Sequence, residues 1–524
     1  MRLRNHLKAF GAARHGGVAM MFALAMPVVS VMAVAGVDIH RASTVRMNLQ
    51  DALDAAALAA ARSDETTSGG IRRVGMQALR ANLANYPDTS LIEAATDTDF
   101  VLNADGSVVA KAKANVTTLI ADMFLGDNIK VAADTTVFRS NYRIEVAMVL
   151  DNTGSMAGSK LTNTKAAARN LVERLAAAAE RSTEDDAVKI SLVPFSMTVR
   201  IGSEYANANW MDNSAQATGN DELFATGANR LALFNQMNLD WAGCVESRPY
   251  PYDIRDTAPH PSDRETMFVH YFAPDEPDVD LYDNHWQWED YRVDNDYLPD
   301  GLNANSSNRD WWKRLKRTQK YGTSGLSTSN GKGPNRGCTL QPLVRLTTDY
   351  DDVLDAIDDM TASGNTNVPM GMMWGWHTLS PNRPFADGAA YGTDRLQKIV
   401  ILMTDGENVN STFSNPNNSV YSGVGYIFQN RLGVGVNSSG SDRRAAMDNR
   451  LDSATPGQED LCGNMKAQGI IIYTVGVQVD TGTQAMLARC ATSSDHYFNV
   501  TSSAAIGEAF DRIAGSIENL RIAR

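Results

Sequence analysis

Residues Gly16 to Val37 run GGVAMMFALAMPVVSVMAVAGV, 22 positions without a charge. As a helix rising ~1.5 Å per residue the segment reaches ~33 Å, enough for a hydrocarbon core of ~30 Å. Before it stand Arg2, Arg4, Lys8 and Arg14, and no acid. That bias puts residues 1–15 in the cytoplasm as a basic leader and everything after Asp38 beyond the membrane. Ala33-Val34-Ala35 has the form of a signal-peptide cleavage site, but the apolar run is longer than the ~7–15 residues of a signal-peptide core. Val45, Leu49, Leu53, Ala56 and Ala60 then recur at spacings of three or four. One helix is therefore expected to cross the membrane over 16–37 and continue to about Arg62. Either reading exports the rest of the chain.

Export bears on the four cysteines, Cys244, Cys338, Cys462 and Cys490. No pair has C-x-x-C spacing, which argues against zinc and thioredoxin-like chemistry. An even number in an exported chain points to disulfides, with three connectivities open. The pairing expected is the one between sequence neighbours, Cys244 with Cys338 and Cys462 with Cys490. The formal net charge of −13 makes nucleic acid a poor partner, because an acidic surface repels phosphate.

Residues 38–140 read as a small α+β stalk domain. Ser63 to Gly70 is a polar loop and Ile71 to Asn85 a helix. Phe100 to Asn103, Ser107 to Lys113 and Ile129 to Phe138 read as strands, with a hairpin turn at Asp105-Gly106. From Tyr142 the pattern changes. Ile144 to Leu150, Val188 to Phe195, Lys398 to Met403 and Gly469 to Val477 are nearly continuous apolar runs, as strands buried on both faces require. A last strand lies near His496 to Asn499. Helical patterns alternate with them: Leu161 to Arg181, Asp351 to Met360, Met370 to Leu379, Arg443 to Gln468, Thr483 to Ala491 and Ala504 to Leu520. Such alternation predicts a doubly wound α/β domain over 142–524. Two insertions interrupt it. The larger, about 203–345, holds Trp210, Trp241, Trp286, Trp288, Trp311 and Trp312 and reads as a folded cap whose tryptophans form its core. Its acidic stretch Asp275 to Asp300 reads as a solvated face. The smaller, about 410–440, is rich in Ser, Asn and Gly and reads as a flexible loop.

In open α/β sheets ligands bind beyond the carboxyl ends of the strands. Three polar segments fall there. Asp151-Asn152-Thr153-Gly154-Ser155 follows the first buried strand. Alternate residues of an extended segment share a side, so Asp151, Thr153 and Ser155 can converge. Thr404-Asp405-Gly406-Glu407 follows KIVILM, and Gly364-Asn365-Thr366-Asn367 joins two helices. Two carboxylates and three hydroxyls make a hard oxygen set suited to Mg²⁺, or to Mn²⁺. The blander alternatives are Asp151 as a helix cap, Asp405-Gly406 as an ordinary turn, and Thr361 in place of Thr366.

D-x-[ST]-x-S after a first strand, then G-x-T, then a T-D-G strand end, resembles the metal-ion-dependent adhesion site of von Willebrand factor A-type (vWA) domains. The resemblance implies direct metal coordination by Thr153, Ser155 and Thr366, with Asp151 and Asp405 holding metal-bound water, and a protein partner that offers a carboxylate. The basic leader, the apolar span and DIHRASTVRMNLQDALDAAALAAAR resemble the TadE/TadG-like proteins of tight-adherence (Flp) pilus assembly. MGMMWGWHTLSPNRPF (Met370 to Phe385) is similar to the stretch found where that segment is fused to a vWA domain. Together they imply a non-enzymatic, single-pass envelope protein with its bulk periplasmic or extracellular, and pilus or envelope components as partners. A surface adhesin for a host or matrix protein, a metal-dependent hydrolase and a scaffold with an empty site are the alternatives. Against a hydrolase, the D-x-D motif of haloacid dehalogenase-type phosphatases is broken at Thr153, and no G-x-S-x-G, P-loop or H-E-x-x-H occurs.

Overall fold

The computed structural model describes residues 17–63, 65, 67–84, 86, 98–103, 106–118, 128–138, 143–180, 182, 184–278, 292–302 and 310–522. The basic leader, Asp105, Trp286, Trp288 and residues 279–291 of the acidic stretch lie outside these. The chain divides into two compact units: Met1–Asn141 with Arg181–Thr183 and Leu520–Arg524, and Tyr142–Glu180 with Glu184–Asn519.

In the first unit, helix α1 runs unbroken over Gly17–Arg62 with Pro27 inside it. It is long and apolar enough to cross a membrane. Along its first half, Met20, Phe22, Leu24, Met26, Val29 and Met32 are exposed. Further on, Val45, Leu49, Leu53, Ala56 and Ala60 are buried. This is the stripe that the spacing of three and four residues sets on one face. It packs with helix α2 (Ser68–Leu83) and an antiparallel sheet of β1 (Thr98–Leu102), β2 (Ser107–Val116) and β3 (Ile129–Phe138). Phe100 lies over Gly75 of α2, where an added Cβ would come within 2.5 Å of its ring.

The second unit is built on a six-stranded sheet. In chain order its strands are β4 (Arg143–Asp151), β5 (Val188–Phe195), β6 (Val344–Thr347), β7 (Leu396–Thr404), β8 (Ile471–Val477) and β9 (Tyr497–Val500). In space they run β9-β8-β7-β4-β5-β6. All pairs are parallel except β5 with β6 at the edge. This is the doubly wound order 3-2-1-4-5-6, whose switch point lies between β4 and β7. Besides three short helices in the cap, Thr218–Leu223, Arg230–Gln236 and Trp311–Leu315, the helices are α3 (Ser159–Glu180), α4 (Tyr350–Asp358), α5 (Val368–Leu379), α6 (Gly440–Leu451), α7 (Leu461–Ala467), α8 (Thr481–Cys490) and α9 (Ile506–Ile522).

Both faces of the sheet are covered. Val149 of β4 pairs with Leu402 of β7, and Leu150 with Met403. Gly375 of α5 lies over Val149 and Ala147, whereas the Thr164 hydroxyl of α3 meets the Met403 sulfur at 3.4 Å. Adjacent strand residues point to opposite faces, so α3 and α5 flank the sheet from either side. Helix α5 comes in close because of two glycines one turn apart. A Cβ at Gly371 would fall 2.4 Å from the Phe195 ring, and one at Gly375 would fall 2.3 Å from Val149 Cγ2.

Some expectations need correction. The helix read over Arg443 to Gln468 is two, α6 and α7, because a Pro456-Gly457 turn intervenes, with Gly457 at φ +80°, and the Asp460 side chain caps α7. Edge strand β6 has only four residues, too few for a periodicity. The segment 410–440 is not a flexible loop: Asn417, Ser419, Tyr421, Tyr426 and Ile427 are buried. Its amides and phenols find partners in the cap, for Glu276 accepts hydrogen bonds from Asn417 and Tyr426, both at 3.0 Å. Nor are the described ends of the acidic stretch a solvated face. Asp275, Glu276 and Asp300 are buried, the two aspartates beside Lys320 and the second also paired with Arg314. Trp210, Trp241 and Trp311 are core residues, whereas Trp312 is partly exposed against Phe428. The cap is closed by Cys244–Cys338, and α7 is tied to α8 by Cys462–Cys490.

Candidate metal site

Asp151 ends β4 and Asp405 follows β7, so both stand at the switch point of the sheet. A chain of hydrogen bonds joins them. Asp151 Oδ1 accepts from the Thr153 amide at 2.8 Å, which turns the backbone out of the strand. Asp151 Oδ2 accepts from the Thr404 hydroxyl at 2.6 Å. The Thr153 and Ser155 hydroxyls lie 3.0 Å apart, and Ser155 donates to Asp405 Oδ1 at 2.6 Å. The other Asp405 oxygen, Oδ2, accepts from Lys160 Nζ at 2.5 Å.

Thr366 belongs to the same cluster. An ideal Cβ on Gly406 would lie 3.7 Å from Ser155 Oγ and 3.9 Å from Thr366 Oγ1, so both hydroxyls face one spot beside that glycine. The third segment is held there by backbone bonds. Gly154 donates to the Gly364 carbonyl at 3.0 Å, Ser363 to that of Asn152 at 2.8 Å, and Val409 to that of Thr366 at 2.9 Å. Asn367 caps α5 by accepting from the Met370 amide, so the glycine-enabled approach of α5 carries Thr366 to the sheet end. Thr361 is exposed, and its carbonyl is taken by the Asn152 amide group at 3.1 Å.

All five residues named from sequence, Asp151, Thr153, Ser155, Thr366 and Asp405, therefore meet. Two others were missed. Thr404 orients Asp151, and Lys160 pairs with Asp405 from the first turn of α3. The signal for Lys160 was its place, because a cation is disfavoured at a helix N-terminus unless an acid lies nearby. Glu407 turns elsewhere, into an ion pair with Arg444, which also meets Asp448 and Asp480.

Burial pushes the Asp151 carboxyl up to about 6, with the Asp405 charge adding to the rise and the bonds from Thr404 and Thr153 opposing it. Two carboxylates this close favour a cation between them. Lys160 supplies one positive charge for two negative ones. Among the described residues no three His, Cys, Asp or Glu gather as a metal cluster, so the case for a metal here rests on mixed carboxylate and hydroxyl donors. That donor set fits Mg²⁺ or Mn²⁺, which take few protein carboxylates and keep several waters.

Strand order and site together describe a doubly wound domain with an acid and hydroxyl cluster at its switch point, the arrangement implied by the vWA resemblance. At the other end of the chain, residues 16–63 match the family described as putative Flp pilus-assembly TadE/G-like. No curated protein matches. Among solved structures, the vWF domain of the type V pili tip protein Mfa5 from Porphyromonas gingivalis is similar at 12% identity and a TM-score of 0.31, over 73% of this chain and 97% of that one. The pilus adhesin RrgA from Streptococcus pneumoniae is similar at 11% identity and a TM-score of 0.32, over 80% of this chain and 49% of that one. The pilus adhesin SpaC from Lactobacillus rhamnosus GG is similar at 11% identity and a TM-score of 0.30, over 81% of this chain and 34% of that one. The fold assignment rests on the strand order, independently of these likenesses.

Proposed function

We propose that this chain is a non-enzymatic envelope protein of a tight-adherence pilus system, anchored by α1, whose second unit grips a partner protein through Mg²⁺ or Mn²⁺ at Asp151, Thr153, Ser155, Thr366 and Asp405. The observation that carries the metal reading is the convergence of these side chains from three distant segments on one point at the switch of the sheet. Thr153, Ser155 and Thr366 present hydroxyl oxygens to the cation, and Asp151 and Asp405 hold its water. The bound ion supplies an electrophilic position that a partner carboxylate can complete. Each oxygen of Asp151 and Asp405 already accepts a hydrogen bond, from Thr153, Thr404, Ser155 or Lys160, which favours gripping over hydrolysis. The match over 16–63 supports the pilus context, and the basic leader supports an N-terminus in the cytoplasm with the rest of the chain outside.

The test is calorimetric titration of the full-length chain in detergent with Mg²⁺ and Mn²⁺, paired with capture of envelope proteins with and without chelator. Wild type is expected to release or absorb heat on titration and to lose its captured partner in chelator, and Asp405→Ala to do neither. Absence of heat from wild type would leave an empty scaffold. Cell fractionation separates an assembly factor retained in the envelope from an adhesin displayed on the surface.

A further inference from the structure

We propose that Lys160 is a resident counter-cation that weakens metal binding at this site and strengthens the loaded site's hold on a carboxylate. The inference rests on the metal reading above and assigns the site a regulation that its donor set alone lacks. Lys160 is the second residue of α3, a helix with no acid in its first turn. Its charge therefore opposes the helix dipole locally. The compensation lies 245 residues away, at Asp405 Oδ2, 2.5 Å from Nζ. The Asp405 side chain is 0% exposed and the Lys160 side chain 22% exposed. With Ser155 on the other oxygen, both oxygens of this buried carboxylate are partnered without a metal. Removing one partner of a buried ion pair leaves an uncompensated charge, which is strongly destabilising.

Charge counting gives the functional consequence. Asp151, Asp405 and Lys160 together carry one net negative charge. A divalent cation turns that into one net positive charge, which an incoming carboxylate neutralises. Without Lys160 the two aspartates and the divalent cation already balance, and the loaded site draws an anion only through the ion's open position. Lys160 therefore opposes metal binding and favours the carboxylate that follows the metal. It is a positioning and charge-setting residue, since nothing in its role requires contact with the partner.

The experiment compares the full-length chain with Lys160→Met, which keeps the stem and drops the charge. Lys160→Gln serves as a second neutral variant should Met fail to fold. Mg²⁺ is titrated calorimetrically in chloride and in acetate buffer. Wild type is expected to bind Mg²⁺ more tightly in acetate than in chloride. The neutral variant is expected to bind it at least about tenfold more tightly than wild type in chloride, with a smaller acetate effect. Melting in chelator is the second readout: the variant is expected to melt below wild type and to recover with Mg²⁺. Unchanged or weaker Mg²⁺ affinity in the variant, or an acetate effect equal to that of wild type, overturns the proposal. If neither protein takes up Mg²⁺, the metal reading itself falls, and a melting difference in chelator would then mark Lys160 as a structural ion-pair partner only.

Discussion

Glu246 and Asp405 are both carboxylates with no solvent exposure of their side chains, yet they are answered differently. Glu246 lies in the cap. One oxygen accepts from Arg230 and from the Tyr421 hydroxyl, and the other from Arg431 at 2.9 Å. Two guanidiniums, both nearly buried, face this single acid, and the partners come from both insertions. Asp405 is paired with one ammonium, that of Lys160, and its other oxygen accepts from the Ser155 hydroxyl, while the second acid, Asp151, is held by the Thr153 amide and the Thr404 hydroxyl alone. The first cluster is over-supplied with positive charge and enclosed by the cap. The second is short of it, and its donors Ser155 and Lys160 reach the surface. A closed ion cluster holds chain segments together, whereas one short of positive charge at a sheet end can accept a cation.

The largest test of this contrast is Glu246→Gln. It leaves Arg230 and Arg431 without a compensating charge, and such a loss costs about 3–5 kcal/mol. The denaturant midpoint should fall accordingly, by the same amount with and without Mg²⁺. A magnesium-dependent loss would mean that the two clusters are not separate in function.

His270 gives a pH test of the same cap. Burial, aided by the Arg230 charge, holds its imidazole down to about 4 against the hydrogen bond to the Ala206 carbonyl. In the unfolded chain it titrates near ~6.5. Between these values the unfolded chain takes up a proton that the folded chain refuses, so stability falls as pH is lowered from about 6.5 to about 4. Its contribution is on the order of 3 kcal/mol. Denaturation followed across that range should show a steeper acid loss in wild type than in His270→Gln. Identical slopes would mean that the cap admits a proton there.

The smallest effect belongs to the open cluster. Ser155→Ala removes one hydrogen bond from Asp405, and in chelator it should lower stability by about 1 kcal/mol. In Mg²⁺ the deficit should grow, because a proposed ligand is also lost. A deficit that does not respond to Mg²⁺ would place Ser155 among the structural groups, like those around Glu246.

Asp151, Thr153, Ser155 and Asp405 were legible because each follows an apolar run that can only be a buried strand, and strand ends are where such sheets present side chains. The buried stripe of α1 was legible because helical spacing is local. Lys160 showed only as a cation out of place at a helix start, and such a lysine reads as solvated until the end of β7 is known to lie across from it. The acidic stretch was misread for the same reason: charge density along the chain does not say that Lys320 and Arg314 fold over Asp275 and Asp300.

The order of residues by itself determined the long apolar helix, the alternation of buried strands with helices, and the chemical character of the oxygen donors, since each depends on periodicity or composition within one segment. Tertiary structure alone decided which charges are neutralised. That depends on distances between residues such as Asp405 and Lys160, 245 positions apart, and in a low-dielectric interior those distances set whether a carboxylate is a structural tie or an open place for a cation.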